Sequence, residues 1–285
     1  MREQPKTSIF RQCQVLFPDW ARLSVGDFEF DDPKGFSSFT MGVRCQQPAE
    51  PPAVLYRRLE GKENAILDFE TEKAVFLTLG SQGIAAQCHH YDDTCRIESF
   101  YHGRTLVAGD LFEPDHLRQI ANQLYRFHQI RPAGLPRQGF FELLHEKWGR
   151  LARTVLEDHS ANFPPDERSM CEDLREIYSP ETLEKVRHHL PEGELTFCHN
   201  DTYHGNLMKL DSGDIKLLDF EISCLNNKAY DFSNLFAETV MEHQQAKSPY
   251  FRIAEPKYSD HHLGMLINFY LDNGDYGDSN EKNRQ

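Results

Sequence analysis

The sequence has 285 residues, of which 39% are hydrophobic and 27% are charged, a composition typical of a folded protein with one large domain or two closely packed lobes. A net charge of −14 without any run of Lys or Arg argues against nucleic-acid binding, because nothing would follow a phosphate backbone. Seven scattered cysteines without a C-x-x-C pair argue against a disulfide framework or zinc site. No stretch approaches 18 consecutive apolar residues. We therefore expect a cytoplasmic protein without a membrane span.

Short strands bounded by Gly, Pro or Asp dominate the first hundred residues. One helix interrupts them, from about Leu67 to Leu79, and glycines end it. The predicted strands are Phe28 to Phe30, Phe39 to Cys45, Ala53 to Leu59, Ala85 to His90, and Arg96 to Tyr101. We expect residues 1–101 to form a strand-rich N-terminal lobe.

Helical periodicity replaces the strands after Tyr101, starting with apolar residues that share one face between Leu117 and His128. Residues 102–285 are thus predicted to form a mainly helical C-terminal lobe. Further predicted helices run from Phe140 to Asp158, Asp166 to Tyr178, and Glu181 to Leu190.

Two short apolar strands follow these helices, Leu195 to His199 and Ile215 to Phe220. The turn Asp211-Ser-Gly-Asp214 lies between them and predicts a hairpin-like connection. The polar tail from Asp272 to Gln285 is predicted to be mobile.

The strongest chemical signal is the segment Phe197-Cys-His-Asn-Asp-Thr-Tyr-His-Gly-Asn-Leu207, a loop after an apolar strand. It places Asp201 and Asn206 five residues apart. In protein kinases a loop Asp accepts or orients the attacking hydroxyl, and an Asn five residues later holds Mg²⁺. We therefore predict that Asp201 is catalytic and that Asn206 binds metal, although such a segment alone can also be a turn with a side-chain cap.

The second signal is Leu217-Leu-Asp-Phe-Glu221, in which Asp219 lies 18 residues beyond Asp201, as the metal-binding Asp does in kinases. A carboxylate and an amide oxygen suit Mg²⁺, which keeps waters and nucleotide phosphates as its other ligands. D-F-E alone can end any strand. Both motifs in this order, behind a strand-rich lobe, predict phosphoryl transfer that depends on ATP and Mg²⁺.

Together these motifs resemble the choline/ethanolamine kinase family, whose pattern reads H-N-D followed by N, then I-D-F-E, then a downstream Asp and Glu. The later elements appear in Tyr230-Asp-Phe-Ser-Asn-Leu-Phe-Ala-Glu238. The resemblance implies an α+β, two-lobed protein-kinase-like fold, with a strand-rich N-lobe and a mainly helical C-lobe. It implies that residues 1–101 cover the nucleotide and that residues 102–285 carry catalysis and substrate binding. It also implies phosphorylation of the hydroxyl of choline or ethanolamine, the first step of phosphatidylcholine and phosphatidylethanolamine synthesis.

Three residues of the C-terminal lobe take roles from this resemblance. It implies that Asp231 braces the catalytic loop and that Glu238 faces the amine, whereas an amphipathic helix with exposed acids is the alternative. His128 lies where the family also tends to carry His, and we expect it to pack structurally without a catalytic role.

The resemblance extends to weaker motifs of the N-terminal half. The segment Gly35-Phe-Ser-Ser-Phe39, with Gly35, Ser37 and Ser38, resembles the turn that covers the nucleotide phosphates, where glycine permits close approach.

Charged residues on neighbouring elements resemble further parts of the nucleotide site. Arg57 or Arg58 resembles the basic residue that reaches the phosphates, with Glu72 as its ion-pair partner, and the sequence does not choose between the arginines. Backbone groups near Glu98 to Phe100 resemble the connector between the lobes that meets adenine.

The acceptor is predicted to be a small amino-alcohol. Only eleven residues separate Asp219 from Asp231, and no A-P-E follows, so the platform on which protein kinases place a peptide is absent. A cationic acceptor needs carboxylates or aromatic faces near the catalytic Asp, and Glu221, Glu238 and Tyr203 are the candidates.

The sequence departs from the family pattern in two places and leaves two alternatives open. Ile222 stands where a Tyr is common, and few residues follow Leu271, where the family usually continues through helices with Trp and Tyr. An aminoglycoside-type phosphotransferase shares the fold and a related H-x-D loop but accepts larger polycationic sugars. A catalytically weak partner subunit that pairs with a full-length relative and regulates it would suit a shortened C-terminal region. As to assembly, both a homodimer and a heterodimer stay open.

Overall fold

The structure is a computed structural model that describes residues 3–32, 39–59, 66–159, 165–190, 193–243, 251–256 and 258–282. The helices are α1 (Glu3–Leu16), α2 (Phe69–Ser81), α3 (Pro114–His128), α4 (Phe140–His159), α5 (Pro165–Ile177), α6 (Pro180–His189), α7 (Ala229–Ala237) and α8 (Asp260–Lys282). The strands are β1 (Phe28–Phe30), β2 (Thr40–Cys45), β3 (Ala53–Arg58), β4 (Cys88–Tyr91), β5 (Cys95–Ser99), β6 (Gly103–Thr105), β7 (Thr196–Cys198), β8 (Leu207–Leu210), β9 (Ile215–Leu217), β10 (Cys224–Asn226), β11 (Met241–His243) and β12 (Phe251–Ile253).

A five-stranded antiparallel sheet, in the order β1-β2-β3-β5-β4, forms the first part of the molecule. Its register sets Leu55 opposite Glu98 and Arg57 opposite Arg96. Side chains directly opposite each other lie on the same face of a sheet, so these four share one face. The residues between them face the other way and pack with α1 in an apolar core.

Helix α3 is the central helix of the second part. Its apolar face is fully buried, and each large apolar side chain removed from water contributes about 1.5–3 kcal/mol. The ring of Phe127 stacks on Phe197 of β7, with ring centroids 4.7 Å apart. The residues of this buried face are Leu117, Ile120, Ala121, Leu124 and Phe127. Helix α3 therefore fixes the strand from which the H-N-D loop emerges.

The predicted hairpin was wrong about its first strand. The turn from Asp211 to Asp214 joins β8 to β9, which pair directly. Strand β7 pairs instead with β10, in a register that sets Cys198 opposite Cys224. The short strand β8 was not predicted. A tight turn joins the two strands that are adjacent to it in sequence, and here these are β8 and β9.

The two ends of the described chain also differ from expectation. Helix α1 was not predicted, and Ile9, Phe10 and Cys13 on one of its faces are buried against the sheet. At the other end, α8 was not predicted and continues to Lys282, and the mobility expected of the tail from Asp272 stays a prediction. Leu266 and Tyr270 are buried in the core that contains α3, and this packing anchors α8. The other predicted helices begin and end within a few residues of their observed bounds.

The overall order is the predicted one, a strand-rich lobe followed by a mainly helical lobe. The division after Tyr101 stays a prediction. All seven cysteines are free thiols. Within the described ranges, none of the helices has the length and apolar character needed to cross a bilayer.

Candidate active site

A cleft of about 570 Å³ lies between the polar face of the sheet and the helical lobe. The wall formed by the sheet is largely charged, and the wall formed by the helical lobe is largely apolar. The sheet and the connector after it contribute Leu55, Arg57, Arg96, Glu98 and Phe100, and the other lobe contributes Met208, Leu217, Asp219 and Phe220. A cleft with apolar walls and a few convergent charges is a typical small-molecule site.

The H-N-D loop brings Asp201 and Asn206 into direct contact. The Nδ2 atom of Asn206 donates to the Asp201 carboxylate at 2.7 Å and to its backbone carbonyl at 3.0 Å. A short helical turn, His204–Asn206, ends the loop and leads into β8. Because the NH₂ group faces Asp201, the amide oxygen of Asn206 is left for another partner.

Asp219 follows β9 with φ of 61°, in the left-handed region that costs a non-glycine residue about 1 kcal/mol. Asn200, beside Asp201, has φ of 66°, and among the described residues these are the non-glycine residues with positive φ. The Asp219 carboxylate lies 3.5 Å from Nη1 of Arg57 in the cleft wall. Local backbone strain is thus concentrated on both sides of the candidate site.

Negative charge accumulates around Asp201. Burial raises the pKa of the Asp201 carboxyl, and the charges of Asp219 and Glu238 raise it further, whereas His199 and the hydrogen bond from Asn206 lower it. The pKa shift shows that Asp201 and Asp219 are close enough to interact electrostatically. A cation between these groups would relieve their repulsion.

Asp231 braces the loop, as the resemblance implied. Its carboxylate accepts hydrogen bonds from the backbone N–H groups of His199 at 2.9 Å and Asn200 at 2.8 Å. It also contacts Nε2 of His128 at 3.0 Å. Burial alone would raise the pKa of Asp231, but the hydrogen bonds from the His128 ring and from the backbone N–H of His199 lower it. His128 is buried and structural, as predicted.

The structure separates the two candidate arginines. Arg57 lines the cleft beside Asp219. Arg58, on the opposite face of β3, lies over the ring of Phe39 with its guanidinium carbon 4.5 Å from the ring centroid. Arg57 is therefore the arginine placed to meet a ligand in the cleft.

Glu72 has a neighbour that the sequence reasoning missed. Its carboxylate lies 4.0 Å from Nη1 of Arg96 and accepts a hydrogen bond from the Tyr91 hydroxyl at 3.0 Å. Nε of Arg96 in turn donates to Glu98 at 2.7 Å, which buries this charged group at the back of the cleft. The signal was present in the sequence, since Arg96 and Glu98 alternate on one face of a strand.

The three predicted substrate residues lie around Asp201. Glu221 is an exposed residue two positions after Asp219, and desolvation and the charge of Asp219 raise its pKa to about 7 against the effect of Arg57. Glu238 caps the C-terminal end of α7, and its charge reaches Asp201 and Tyr203.

Tyr203 packs closely on Gly205, where an added Cβ would lie 2.4 Å from its ring. The sequence reasoning gave Tyr230 no role of its own. Desolvation and the charges of Asp231, Asp201 and Glu238 raise its pKa. It begins the segment that the sequence already singled out.

The remaining nucleotide residues are partly described. Glu98 and Phe100 line the cleft, as expected for the connector between lobes. The guanidinium carbon of Arg44 lies 4.6 Å from the centre of the Phe100 ring. Gly35, Ser37 and Ser38 lie outside the described residues.

Comparison with known proteins agrees with this geometry. A family model described as Choline/ethanolamine kinase matches residues 34–283. A probable choline kinase 3 of Arabidopsis thaliana is 31% identical over 149 residues, which are 52% of this chain and 40% of that protein. A choline/ethanolamine kinase of Homo sapiens is 25% identical over 262 residues, 85% of this chain and 63% of that protein.

The fold comparison points the same way. The crystal structure of choline kinase from Cryptosporidium parvum Iowa II superposes with a TM-score of 0.73 at 22% identity, covering 92% of this chain and 78% of that one. This confirms the predicted two-lobed, protein-kinase-like fold. The chain spans less than two thirds of the length of the two curated relatives. The family model nevertheless matches nearly all of this chain, and the chain belongs to the choline/ethanolamine kinase family.

Proposed function

We propose that this chain transfers the γ-phosphoryl group of ATP, with Mg²⁺, to the hydroxyl of choline or ethanolamine, and so begins phosphatidylcholine or phosphatidylethanolamine synthesis. The observation that carries the proposal is that Asn206 binds Asp201 and also accepts a hydrogen bond from the backbone N–H of Leu218 at 2.9 Å, directly before Asp219 in the cleft wall. Family membership supports an amino-alcohol acceptor over an aminoglycoside.

The donor set around Asp201 fits a magnesium ion. The amide oxygen of Asn206 and the carboxylate of Asp219 are hard oxygen ligands, and they leave room for the waters and phosphates that Mg²⁺ keeps. The mutual repulsion of the nearby carboxylates also favours a cation there. When bound, Mg²⁺ would neutralise charge on the transferring phosphate.

Asp201 is proposed to orient the acceptor hydroxyl and to take its proton. The acceptor oxygen then forms a bond to the γ-phosphorus as the bond to the β,γ-bridging oxygen breaks, and ADP leaves with that electron pair. The raised pKa of Asp201 suits a proton acceptor in a partly desolvated site. Most of the catalysis would come from positioning and charge stabilisation.

The cleft offers separate places for the parts of ATP. We propose that Leu55, Met208 and Leu217 enclose the adenine ring, next to the connector at Phe100. Arg57 would meet the phosphates from above, because it already lies near Asp219.

The proposed nucleotide site also includes two glutamates and the turn predicted from the sequence. These residues are Glu72 and Glu98, and Gly35, Ser37 and Ser38. Glu72 and Glu98 would act through Arg96, which lies against both carboxylates.

The ammonium group of the acceptor is proposed to lie among Glu221, Glu238 and Tyr203. Carboxylates and an aromatic face both attract a weakly hydrated cation, and all three residues are near Asp201. A cytoplasmic setting is part of the proposal, because seven free thiols fit a reducing compartment.

A substrate panel tests the function directly. The intact chain is incubated with Mg²⁺ and ATP and with choline, ethanolamine or kanamycin, and phosphate transfer is measured against an Asp201→Asn control. We expect transfer to choline or ethanolamine that the control lacks. Transfer to kanamycin alone would establish the aminoglycoside alternative. No transfer to any acceptor, together with tight assembly with a full-length relative by size measurement, would establish the partner-subunit alternative.

A further inference from the structure

A chain of buried hydrogen bonds connects the C-terminal helix α8 to the catalytic loop. The hydroxyl of Tyr270 lies 2.9 Å from Nδ1 of His128, and Nε2 of His128 lies 3.0 Å from the Asp231 carboxylate. These side chains are almost inaccessible, with exposed fractions of 5%, 1% and 0%. Each buried polar atom in such a chain depends on the partner that it has.

The chemistry of the groups sets the direction of the hydrogen bonds. An ionised carboxylate only accepts, so Nε2 of His128 must donate to Asp231. In a neutral imidazole Nδ1 then accepts, and the Tyr270 hydroxyl must donate to it. Burial raises the pKa of Tyr270 to about 12, so the hydroxyl keeps the proton that it donates.

We propose that Tyr270 is a positioning residue for phosphoryl transfer, because its hydroxyl holds His128 in the tautomer that donates to Asp231. The catalytic part of this proposal rests on the proposed function. In the other tautomer, a lone pair of Nε2 would face the carboxylate, and repulsion would replace a hydrogen bond. Asp231 holds the backbone N–H groups of His199 and Asn200, directly before Asp201. A displaced Asp231 carboxylate would therefore displace the catalytic side chain.

The packing of Tyr270 can be separated from its hydrogen bond. Its ring contacts the rings of Phe232 and Tyr125, with centroids 4.9 Å and 5.4 Å away. A phenylalanine ring keeps these contacts and loses only the hydroxyl. Tyr258 offers a matched control, because its ring packs against Phe236 at 5.3 Å and it lies just before the same helix.

The kinetic test compares Tyr270→Phe with Tyr258→Phe in the intact chain. We expect kcat to fall about fivefold in Tyr270→Phe, the effect of one hydrogen bond expressed in the transition state. The dissociation constant for ADP should stay unchanged, and the binding stoichiometry of the same titration gives the fraction of folded protein for normalising kcat. Tyr258→Phe should match the wild type. An unchanged kcat in Tyr270→Phe would overturn the proposal.

A spectroscopic test reads the tautomer without relying on turnover. Nitrogen-15 spectra of the histidine rings are recorded for the wild type and Tyr270→Phe, with the His128 signal assigned by its loss in His128→Gln. We expect the Nε2–H tautomer in the wild type and an Nδ1–H population in the variant. A wild-type imidazolium or Nδ1–H form, or an unchanged tautomer in the variant, would overturn the proposal. Absence of turnover by the wild type on any amine would overturn the proposed function instead, while the spectra still test the hydrogen-bond chain.

Discussion

Two carboxylates next to each other in the structure, those of Asp231 and Asp201, have opposite electrostatic environments. Asp231 is fully buried, yet it is surrounded by donors, and its pKa is lowered. Asp201 lies beside other carboxylates, and its pKa is raised by burial and by their charges. The Asp231 carboxylate, whose oxygens accept hydrogen bonds from the loop, holds the loop in place. The Asp201 carboxylate lies close to other negative charges, and a bound cation and substrate would balance that charge.

The largest effect should come from the unsatisfied side of this comparison. Asp201→Asn keeps the shape of the side chain but cannot accept a proton, and we expect turnover to fall roughly 10³-fold. Nucleotide affinity should change little, because Asp201 is assigned to the acceptor. Phosphate transfer to choline and ethanolamine and the dissociation constant of ADP are the two measurements.

Retained turnover in Asp201→Asn would remove the assigned role of Asp201. Glu142→Gln provides a control, because Glu142 is an acidic residue on α4 outside the cleft. It should leave both measurements unchanged.

The second effect should appear in stability rather than in binding. Asp231→Asn replaces one accepting oxygen by an NH₂ group that faces a donor, and we expect the free energy of unfolding to fall by about 3 kcal/mol. Urea unfolding followed by circular dichroism measures this loss. Exposed Asp214 offers the matched change, and Asp214→Asn should cost less than about 0.5 kcal/mol.

The stability difference should also depend on pH in a defined direction. Because the pKa of Asp231 is lowered in the folded state, its contribution is complete above the unfolded pKa of about 3.9. The contribution is lost as the pH falls toward the folded value. The gap between the wild type and Asp231→Asn should therefore be constant near neutral pH and narrow below about pH 4. A gap that widens in acid would contradict the lowered pKa.

Sequence reasoning succeeded where the informative residues are close together in the chain. The spacing of Asp201 and Asn206 and the strand before Asp219 carry a specific chemistry within a few residues. In the structure Asn206 contacts Asp201, and Asp219 lines the cleft, while their roles stay predictions. The helical periodicity around Phe127 likewise identified a buried face of α3. Local patterns are reliable when one physical requirement determines them.

Sequence reasoning failed where partners meet only through tertiary structure. His128 contacts Asp231 and Tyr270 across 103 and 142 positions, and no periodicity relates such residues. The first strand of the hairpin was assigned wrongly because the short strand β8 was not predicted, and β7 was taken as the partner of β9 in its place. Arg96 was missed as the neighbour of Glu72 because strand register decides which charges share a face.

The smallest effect predicted from this comparison tests the positive charge of Arg57, which lies beside Asp219. Replacing Arg57 by methionine removes the guanidinium that faces the cleft, and we expect the KM for ATP to rise roughly tenfold, as for the loss of one charged contact. Arg58→Met is the matched control, since Arg58 lies on the opposite face of the same strand over Phe39. The KM for the amine should stay near the wild-type value in both variants. A larger rise in the KM for ATP with Arg58→Met than with Arg57→Met would reverse the assignment, because the side chain that meets the phosphates would then be the one that packs on Phe39.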